Sequence, residues 1–237
     1  MVTDAFAGRA EVYAQGRLDC ADRAVEFLYG LVAADSPRIA DIGAGTGKLT
    51  AQLARRPGEV WAVEPDPDMR AQAEAGLAGL GNVHIVAGTA EATTLRAHSV
   101  DLVVCAQAFH WFDPVAFRAE CERIGPAPVA ILYNSPSRRR HAELSWWNPW
   151  HQAPRWEDRQ GAIREFFGQP LTRVEFPHPL RYAHDEFLAS MMSHSTTPRA
   201  DDPAYERYRE SVEAIFAREA QDGVLAVDNV TFVYWGG

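Results

Sequence analysis

The sequence predicts an α/β fold in which helices cover both faces of a mostly parallel sheet. Short apolar segments alternate with longer polar or amphipathic ones through the first half of the chain, as strands and crossover helices do in such folds. Glycine or an acidic residue follows several of these apolar segments, and ligands bind at the carboxyl ends of parallel strands. The 237 residues, of which 47% are hydrophobic, suffice for one domain with a sizeable core.

The individual elements follow from periodicity and from turn residues along the chain. We expect strands at 38–42, 59–63, 83–86, 100–105 and 128–133. We expect helices at 19–33, 48–56, 67–77 and 114–124. The second half adds a strand at 172–180, helices at 185–193 and 204–221, and a last strand at 229–235. These segments give seven strands in a single domain over residues 1–237.

Composition and charge exclude several classes of function. The net charge is −9, and the only run of consecutive basic residues is at 138–140. Nucleic acid is therefore not expected as a partner. No apolar run approaches the roughly 20 residues that span a bilayer, and no signal peptide is apparent. Three scattered cysteines indicate buried thiols in a reducing compartment, so we expect a cytoplasmic protein. The eight histidines lack metal-ligand spacing, and no metal site is expected.

A glycine-rich turn follows the first strand and opens the next helix. It contains Asp41, Gly43, Gly45 and Gly47. Glycines at alternate positions let a ligand approach the main chain closely, and backbone N–H groups at a helix N-terminus favour anionic or polar groups. The spacing GxGxG differs from the GxGxxG of hydride-transferring dinucleotide folds and from a phosphate-binding P-loop. The turn predicts a ligand site at this edge of the sheet.

Acidic residues follow the next two strands. Glu64 ends the second strand, where a carboxylate can accept hydrogen bonds from both hydroxyls of a ribose. A solvated acid at a strand end is the alternative. The third strand leads into Thr89, Ala90 and Glu91, which either border the same ligand or form an ordinary turn between strand and loop.

The fourth strand opens into an aromatic loop. This loop runs from Gln107 through His110 to Asp113, and its Ala-Phe-His-Trp-Phe sequence is distinctive. Pro114 then begins the next helix at a position that favours proline. All four motifs follow strands, so they are expected at the same edge of the sheet.

The four motifs resemble those of the class I S-adenosylmethionine-dependent methyltransferases, and the aromatic loop resembles that of the trans-aconitate methyltransferase-like group. The resemblance implies a Rossmann-like class I methyltransferase fold with an antiparallel last strand. It also implies S-adenosylmethionine as the cofactor, with Glu64 on the ribose and Met69 against the adenine. The cofactor-binding residues implied are Tyr13, Arg17, Asp41, Gly43, Gly45, Gly47, Glu64, Pro65, Met69, Thr89, Ala90, Glu91 and Gln107.

Two further segments are expected to close the site. Residues 1–30 resemble an N-terminal lid that folds over the cofactor, and Tyr13 and Arg17 match its pattern. Arg17 could pair with the cofactor's carboxylate or with an acidic substrate. Relatives follow this arginine with a proline-rich stretch that is absent here. Residues 135–176, rich in tryptophan, predict a helical insert that packs on the core or forms a cap around the substrate.

Catalytic candidates follow from the chemistry of methyl transfer, which requires a base only if the acceptor carries a proton. His110 follows strand four and is the candidate base, or else fills space and hydrogen-bonds the substrate. Asn134, expected at the end of strand five, could orient a substrate, or could simply begin a turn. Tyr13 is the third candidate, through the lid.

Three functions remain open from the sequence. The first is a small-molecule methyltransferase that acts by in-line displacement at the sulfonium. The second is a cyclase in which the cofactor's own α-amino group displaces methylthioadenosine and forms azetidine-2-carboxylate, so that the cofactor is the substrate. The third is a fold that binds the cofactor without catalysis. The sequence identifies neither the acceptor nor the oligomeric state.

Overall fold

A seven-stranded sheet forms the centre of the computed structural model, which describes residues 18–125, 128–136, 144, 146, 156–168, 171–192 and 197–236. The strands are β1 (Arg38–Ile42), β2 (Glu59–Glu64), β3 (Val83–Ala87), β4 (Leu102–Ala106), β5 (Val129–Pro136), β6 (Thr172–Pro177), β7 (Leu180–Tyr182), β8 (Leu225–Val227) and β9 (Asn229–Gly236). The sheet order is β3-β2-β1-β4-β5-β9-β6, while β7 pairs with β8 alone. Strand β9 runs antiparallel to β5 and β6, and the other neighbouring strands of the large sheet are parallel.

Helices connect the strands and cover the sheet. They are α1 (Asp22–Tyr29), α2 (Lys48–Leu53), α3 (Pro67–Gly76), α4 (Pro114–Ile124), α5 (Trp156–Phe167), α6 (His184–Met192) and α7 (Tyr205–Glu219). Asp66 and Asp113 cap α3 and α4, each accepting two backbone N–H groups, and a proline follows each aspartate at the first helical position. These caps fix where the two helices leave the carboxyl edge of the sheet.

Each face of the sheet has its own core. Ile39 packs with residues of α1 and α2 on one face, whereas Ile42 packs with residues of α4 and α5 on the other. Strands β1 and β4 are buried along nearly their whole length, as expected for parallel strands covered on both sides. Side chains on the central strands can therefore reach a ligand only at the strand ends.

A third apolar cluster lies outside the two main cores. It joins α6, α7, β7 and β8 through buried side chains such as Phe187, Val212, Ile215 and Leu225, and it includes Leu144. We call this group the satellite cluster. Within the described parts of the chain, no helix has the length and apolarity required to cross a membrane.

The α/β fold with a mostly parallel seven-stranded sheet is confirmed, whereas several predicted boundaries are wrong. Helix α1, predicted to end at 33, ends at Tyr29, and α2, predicted to end at 56, ends at Leu53. Helix α1 begins at Asp22 rather than at 19, because the Cys20 backbone hydrogen-bonds the Gln52 side chain instead of continuing a helix. The strand predicted at 172–180 ends at Pro177, and the chain then pairs as β7 with β8, which the sequence analysis missed. Strand β5 continues beyond Asn134 to Pro136.

Parts of the predicted lid, residues 1–30, and of the predicted cap insert, residues 135–176, lie outside the described residues. This holds for residues 1–17 and, in the insert, for 137–143, 145, 147–155 and 169–170. Helix α5 lies within residues 135–176, and its Ile163 and Phe166 pack on the core. The assignment of lid and cap stays a prediction.

Candidate functional site

The glycine-rich turn is held against the neighbouring strand by backbone hydrogen bonds. The N–H groups of Gly43 and Ala44 donate to the Val63 carbonyl over 2.8 and 3.1 Å. Gly43 and Gly47 adopt φ of +69° and +82°, which favour glycine. A Cβ atom at Gly43 would lie 2.7 Å from the Cβ of Ala108, so the turn packs too closely against the loop after β4 for a side chain.

Glu64 links the end of β2 to the glycine-rich turn. Its Oε2 accepts the Gly45 N–H over 2.8 Å, and its Oε1 accepts the Asp66 N–H over 3.0 Å. Burial raises the pKa of Glu64, an effect that the two backbone N–H groups oppose. Each carboxylate oxygen can accept more than one hydrogen bond, so Glu64 can bind a ligand without giving up these contacts.

Asp41 lies at the foot of the turn and is almost completely buried. Its Oδ2 accepts a hydrogen bond of 2.7 Å from the Thr50 hydroxyl, in the first turn of α2. Burial raises the pKa of Asp41 to about 7, with a further contribution from the nearby Glu64 charge and an opposing one from Thr50. The site therefore contains a carboxyl group that is partly neutral near physiological pH.

The two corners that follow β2 and β3 are fixed by polar contacts. Arg70 donates to the carbonyls of Glu64 and Pro65 over 2.9 and 2.7 Å, and Met69 beside it is buried. After β3, Thr89 forms a small bridge with Ala92 while Ala90 is buried in the core. The Glu91 carboxylate accepts the Asp113 N–H over 3.0 Å, which ties this corner to the start of α4.

Gln107 and Asn134 face each other across the ends of β4 and β5. Gln107 has φ of +60°, and its side-chain amide donates to the Asn134 carbonyl over 3.3 Å. The Asn134 side chain donates to the carbonyl of Asp19 over 3.0 Å and accepts the Thr231 hydroxyl over 2.6 Å. Asn134 thus joins β5 to β9 and to the segment that precedes α1.

His110 lies on the other side of the same sheet edge. It belongs to a short 3-10 turn at Phe109–Trp111, and its Nδ1 lies 3.3 Å from the Tyr133 hydroxyl. Burial raises the pKa of Tyr133 well above its usual value, so its phenol stays protonated and can donate a hydrogen bond. The imidazole and the phenol form one polar pair within an otherwise aromatic environment.

The structure brings most of the predicted site residues to one edge of the sheet. A cavity there is bordered by residues of the glycine-rich turn, the ends of β4 and β5 and the segment before α1, among them Asp41, Gly43, Gly45, Gln107, Asn134 and Leu18. Tyr13 and Arg17 lie outside the described residues. In the described part of the chain, no group of three or more metal-ligating side chains lies together.

Three polar residues of this region were missed from the sequence. Thr50 hydrogen-bonds Asp41, Tyr133 contacts His110, and Arg159 lies on α5 near Tyr133. A tyrosine inside the apolar run of β5 was a signal that could have been used. The spacing of Arg159, Ile163 and Phe166, four and then three residues apart, could have placed Arg159 on the buried face of α5.

Comparison with known proteins assigns this arrangement to a class. A family model described as "Methyltransferase domain" matches residues 40–125, the segment from β1 through α4. An uncharacterized methyltransferase of Mycobacterium tuberculosis is 38% identical over 143 residues, which cover 60% of this chain and 55% of that protein. An uncharacterized methyltransferase-like protein of Schizosaccharomyces pombe is 45% identical over 75 residues, 31% of this chain and 28% of that protein. The chain spans about half the length of the curated mycobacterial relative.

Solved structures of low sequence identity share the fold. A protein of Anaeromyxobacter dehalogenans, provisionally named a type II methyltransferase, has a TM-score of 0.67 at 20% identity, over 92% of this chain and 96% of that one. A protein of Anabaena variabilis, provisionally named a methyltransferase of an antibiotic biosynthesis pathway, has a TM-score of 0.67 at 21% identity, over 94% and 99% of the two chains. At these identities the likeness concerns the fold alone.

The fold is that of a Rossmann-like α/β protein, and its candidate ligand site lies at the carboxyl edge of the sheet. Residues 40–125 match the methyltransferase-domain model, and this similarity supports a class I S-adenosylmethionine-dependent methyltransferase domain with S-adenosylmethionine as its cofactor. The resemblance to the trans-aconitate methyltransferase-like group stays a prediction.

Proposed function

We propose that this chain transfers the methyl group of S-adenosylmethionine to a small-molecule acceptor. The observation that carries the proposal is the hydrogen bond from the Gly45 N–H to Glu64, which joins the glycine-rich turn to the acidic end of β2. This contact holds the glycine backbone, which a ligand can approach closely, beside a carboxylate that would bind the ribose hydroxyls. Both lie at the same edge of the sheet. The cavity beside them is lined by both polar side chains and glycine backbone.

The residues around the cavity fit an amino-acid nucleoside. Glu64 has lone pairs left to accept the two ribose hydroxyls, and the corner at Thr89, Ala90 and Glu91 would border the adenine. Met69, already buried beside Glu64, would contribute apolar surface to the adenine. Gln107 and the backbone of the glycine-rich turn would hold the methionine part, and Asp41 would support the turn through Thr50.

Methyl transfer needs little covalent help from the protein. Bound S-adenosylmethionine supplies an electrophilic methyl group, to which an acceptor lone pair bonds in line while the carbon–sulfur bond pair leaves with sulfur. The side chains would hold the acceptor in line and exclude water, which can lower a barrier by roughly 7–11 kcal/mol. His110, paired with Tyr133, would hydrogen-bond the acceptor or take its proton where the acceptor carries one.

Asn134 would act by positioning rather than by contact with the reacting atoms. Its amide oxygen accepts from Thr231 and its nitrogen donates to backbone carbonyls before α1. These contacts would hold the cofactor-facing segment at Leu18 and Asp19 against the sheet. Its role in the reaction would therefore be indirect.

The first test is calorimetry of S-adenosylmethionine binding to Glu64→Gln. The neutral amide loses the charge and one acceptor oxygen, so we expect affinity to fall roughly 10- to 100-fold. Glu59→Gln is the matched control, because Glu59 starts the same strand at its other end, is half-exposed and contacts only His84 among the described side chains. Melting curves of both variants separate lost binding from lost folding. Equal affinity in both variants would contradict the assigned site.

The second measurement identifies the reaction. Mass spectrometry of enzyme incubated with S-adenosylmethionine and candidate acceptors should show S-adenosylhomocysteine only when an acceptor is present. Methylthioadenosine formed without an acceptor would instead show that the cofactor is cyclised. Saturable binding with no turnover on any acceptor would favour a non-catalytic fold.

A further inference from the structure

Helix α5 presents one charged residue on its buried face. Ile163 and Phe166 of this helix pack into the core beneath the sheet, and Arg159 lies one turn before Ile163 on the same helical face. The next residue, Gln160, donates to the Tyr234 hydroxyl of β9 over 3.4 Å. Arg159 is therefore directed to the sheet rather than to the exposed side of α5.

The Arg159 guanidinium has an unmet hydrogen-bonding requirement. Its Nε is buried and has no hydrogen-bond partner in the structure. Across the parts of the chain that the structure describes, no aspartate or glutamate forms an ion pair with it. A buried donor on a charged group costs free energy unless a partner satisfies it, and an anionic oxygen is the partner that suits a guanidinium best.

Arg159 lies near the polar pair of Tyr133 and His110, the group proposed above to contact the acceptor. Its positive charge acts on Tyr133, opposing the burial that raises the pKa of that phenol. Tyr133 in turn lies 3.3 Å from His110 Nδ1. Tyr133 follows Leu132, whose carbonyl accepts the Gln107 N–H, so all these groups lie level with the end of β4. One cationic group and two polar rings thus lie on the α4 and α5 face of the sheet, across the ends of β4 and β5 from the cavity proposed for the cofactor.

We propose that Arg159 anchors an anionic oxygen group of the acceptor, so that the enzyme selects acceptors carrying a carboxylate or a phosphate. The inference rests on the proposed methyltransferase function and assigns a specificity residue within it. The two donors of a guanidinium edge match the paired oxygens of either group. Tyr133 can donate a further hydrogen bond, and Phe109 and Trp111 border His110 with aromatic surface.

Direct binding of three simple probes tests this without knowledge of the natural acceptor. Benzoate and phenyl phosphate carry the two anionic groups, and benzamide is the neutral counterpart of benzoate. Calorimetry is performed on the whole 237-residue chain saturated with S-adenosylhomocysteine, which prevents turnover. We expect wild-type enzyme to bind at least one anion more tightly than benzamide, and the stronger anion identifies which group is preferred. Equal binding of benzamide and both anions, or no saturable binding of either anion, would overturn the proposal.

Variants of α5 assign the effect to Arg159. Arg159→Gln should weaken binding of the preferred anion roughly tenfold or more and leave benzamide binding unchanged. Arg159→Lys keeps the charge and should restore part of the affinity. Arg164→Gln is the matched control, an exposed arginine on the same helix. Anion binding that falls no further in Arg159→Gln than in Arg164→Gln would contradict the assignment.

Failure of this inference can be told apart from failure of the proposed function. S-adenosylmethionine affinity is measured separately for each protein, and Arg159→Gln should keep it within about twofold of wild type, a change of only about 0.4 kcal/mol. Cofactor binding without anion preference would overturn the role of Arg159 alone. Absence of cofactor binding in the wild type would overturn the methyltransferase proposal.

Discussion

Asp41 is a buried carboxyl group whose surroundings favour its neutral form. Only 1% of the residue is exposed. Burial raises its pKa from 3.8 to about 7, the Glu64 charge adds to this effect, and the Thr50 hydrogen bond opposes it. Between these two values the folded chain binds more protons at Asp41 than the unfolded chain does. The contribution of Asp41 to stability is therefore complete below pH 3.8 and is lost as the pH rises to about 7.

Replacing Asp41 with asparagine should remove this pH dependence. As the pH rises from 3.8 to about 7, the free energy of unfolding of the wild type should fall relative to that of Asp41→Asn. The fall should be at most about 4 kcal/mol, since each unit of pKa difference is worth about 1.4 kcal/mol. Urea unfolding of both proteins across this range measures the difference, because titrations common to both largely cancel. A difference independent of pH would contradict a raised pKa at Asp41.

Residues that set the backbone conformation of a turn were predictable from the sequence, whereas side-chain contacts between different helices and strands were not. The alternate glycines predicted a turn, and the positive φ of Gly43 and Gly47 confirms their conformational role. The hydrogen bond from Thr50 to Asp41 depends on which face of α2 is turned towards β1. The spacing of residues along the chain does not define that orientation. Arg159 lies near Tyr133 only because α5 packs against α4 and β9.

At the scale of elements, an ion pair ties α4 to the loop after β3. Glu120 accepts two hydrogen bonds from Arg123 of its own helix and two from Thr93 of the loop. Arg123 also donates to the Leu95 carbonyl over 2.9 Å. Burial alone would raise the pKa of Glu120, but Arg123 and Thr93 outweigh it and lower the pKa to about 2. This network supports the corner that contains Glu91 from the side opposite the site.

Glu120→Ala should destabilise the fold far more than truncation of a surface acid on the same helix. It leaves the buried Thr93 donors without their carboxylate, which costs roughly 1–3 kcal/mol, whereas water can solvate Arg123 because its side chain is 41% exposed. Glu122→Ala is the matched control, since the exposed Glu122 pairs only with Arg118 in the described structure and should change stability by less than about 1 kcal/mol. Chemical denaturation at pH 7 measures both. Equal losses in the two variants would show that the buried network contributes no more than a surface pair.

Strands were predicted more reliably than the segments between them. The central residues of β1 and β2 and the whole of β4 are mostly apolar, so burial on both faces was readable, and the three strands lie within two residues of their predicted positions. The change of partner from β6 to β7 was not readable, because the strand pattern continues through two prolines. Residues 172–177 pair with β9 and residues 180–182 pair with β8, so the positions of β8 and β9 in the fold determine where β6 ends and β7 begins.

At the scale of the whole molecule, three apolar clusters differ in how they are connected. The two cores on the faces of the large sheet share its strands, so loss of one exposes the other. The satellite cluster is built from two helices, its own strand pair and Leu144. A set of helices and strands that packs around its own apolar cluster can unfold locally while the rest of the protein stays folded. The satellite cluster is therefore the part of the described chain most suited to independent opening.

Val212→Ala should speed native-state hydrogen exchange in the satellite cluster and leave exchange in the large sheet unchanged. Val212 is fully buried in α7, and removing its two methyl groups should cost roughly 2 kcal/mol locally. We expect faster exchange in α6, α7, β7 and β8, with unchanged exchange in β1 and β4, because only opening of the satellite is facilitated. Val104→Ala, equally buried in β4, is the control and should speed exchange throughout the large sheet. Uniform acceleration by Val212→Ala as well would show that all three clusters unfold together.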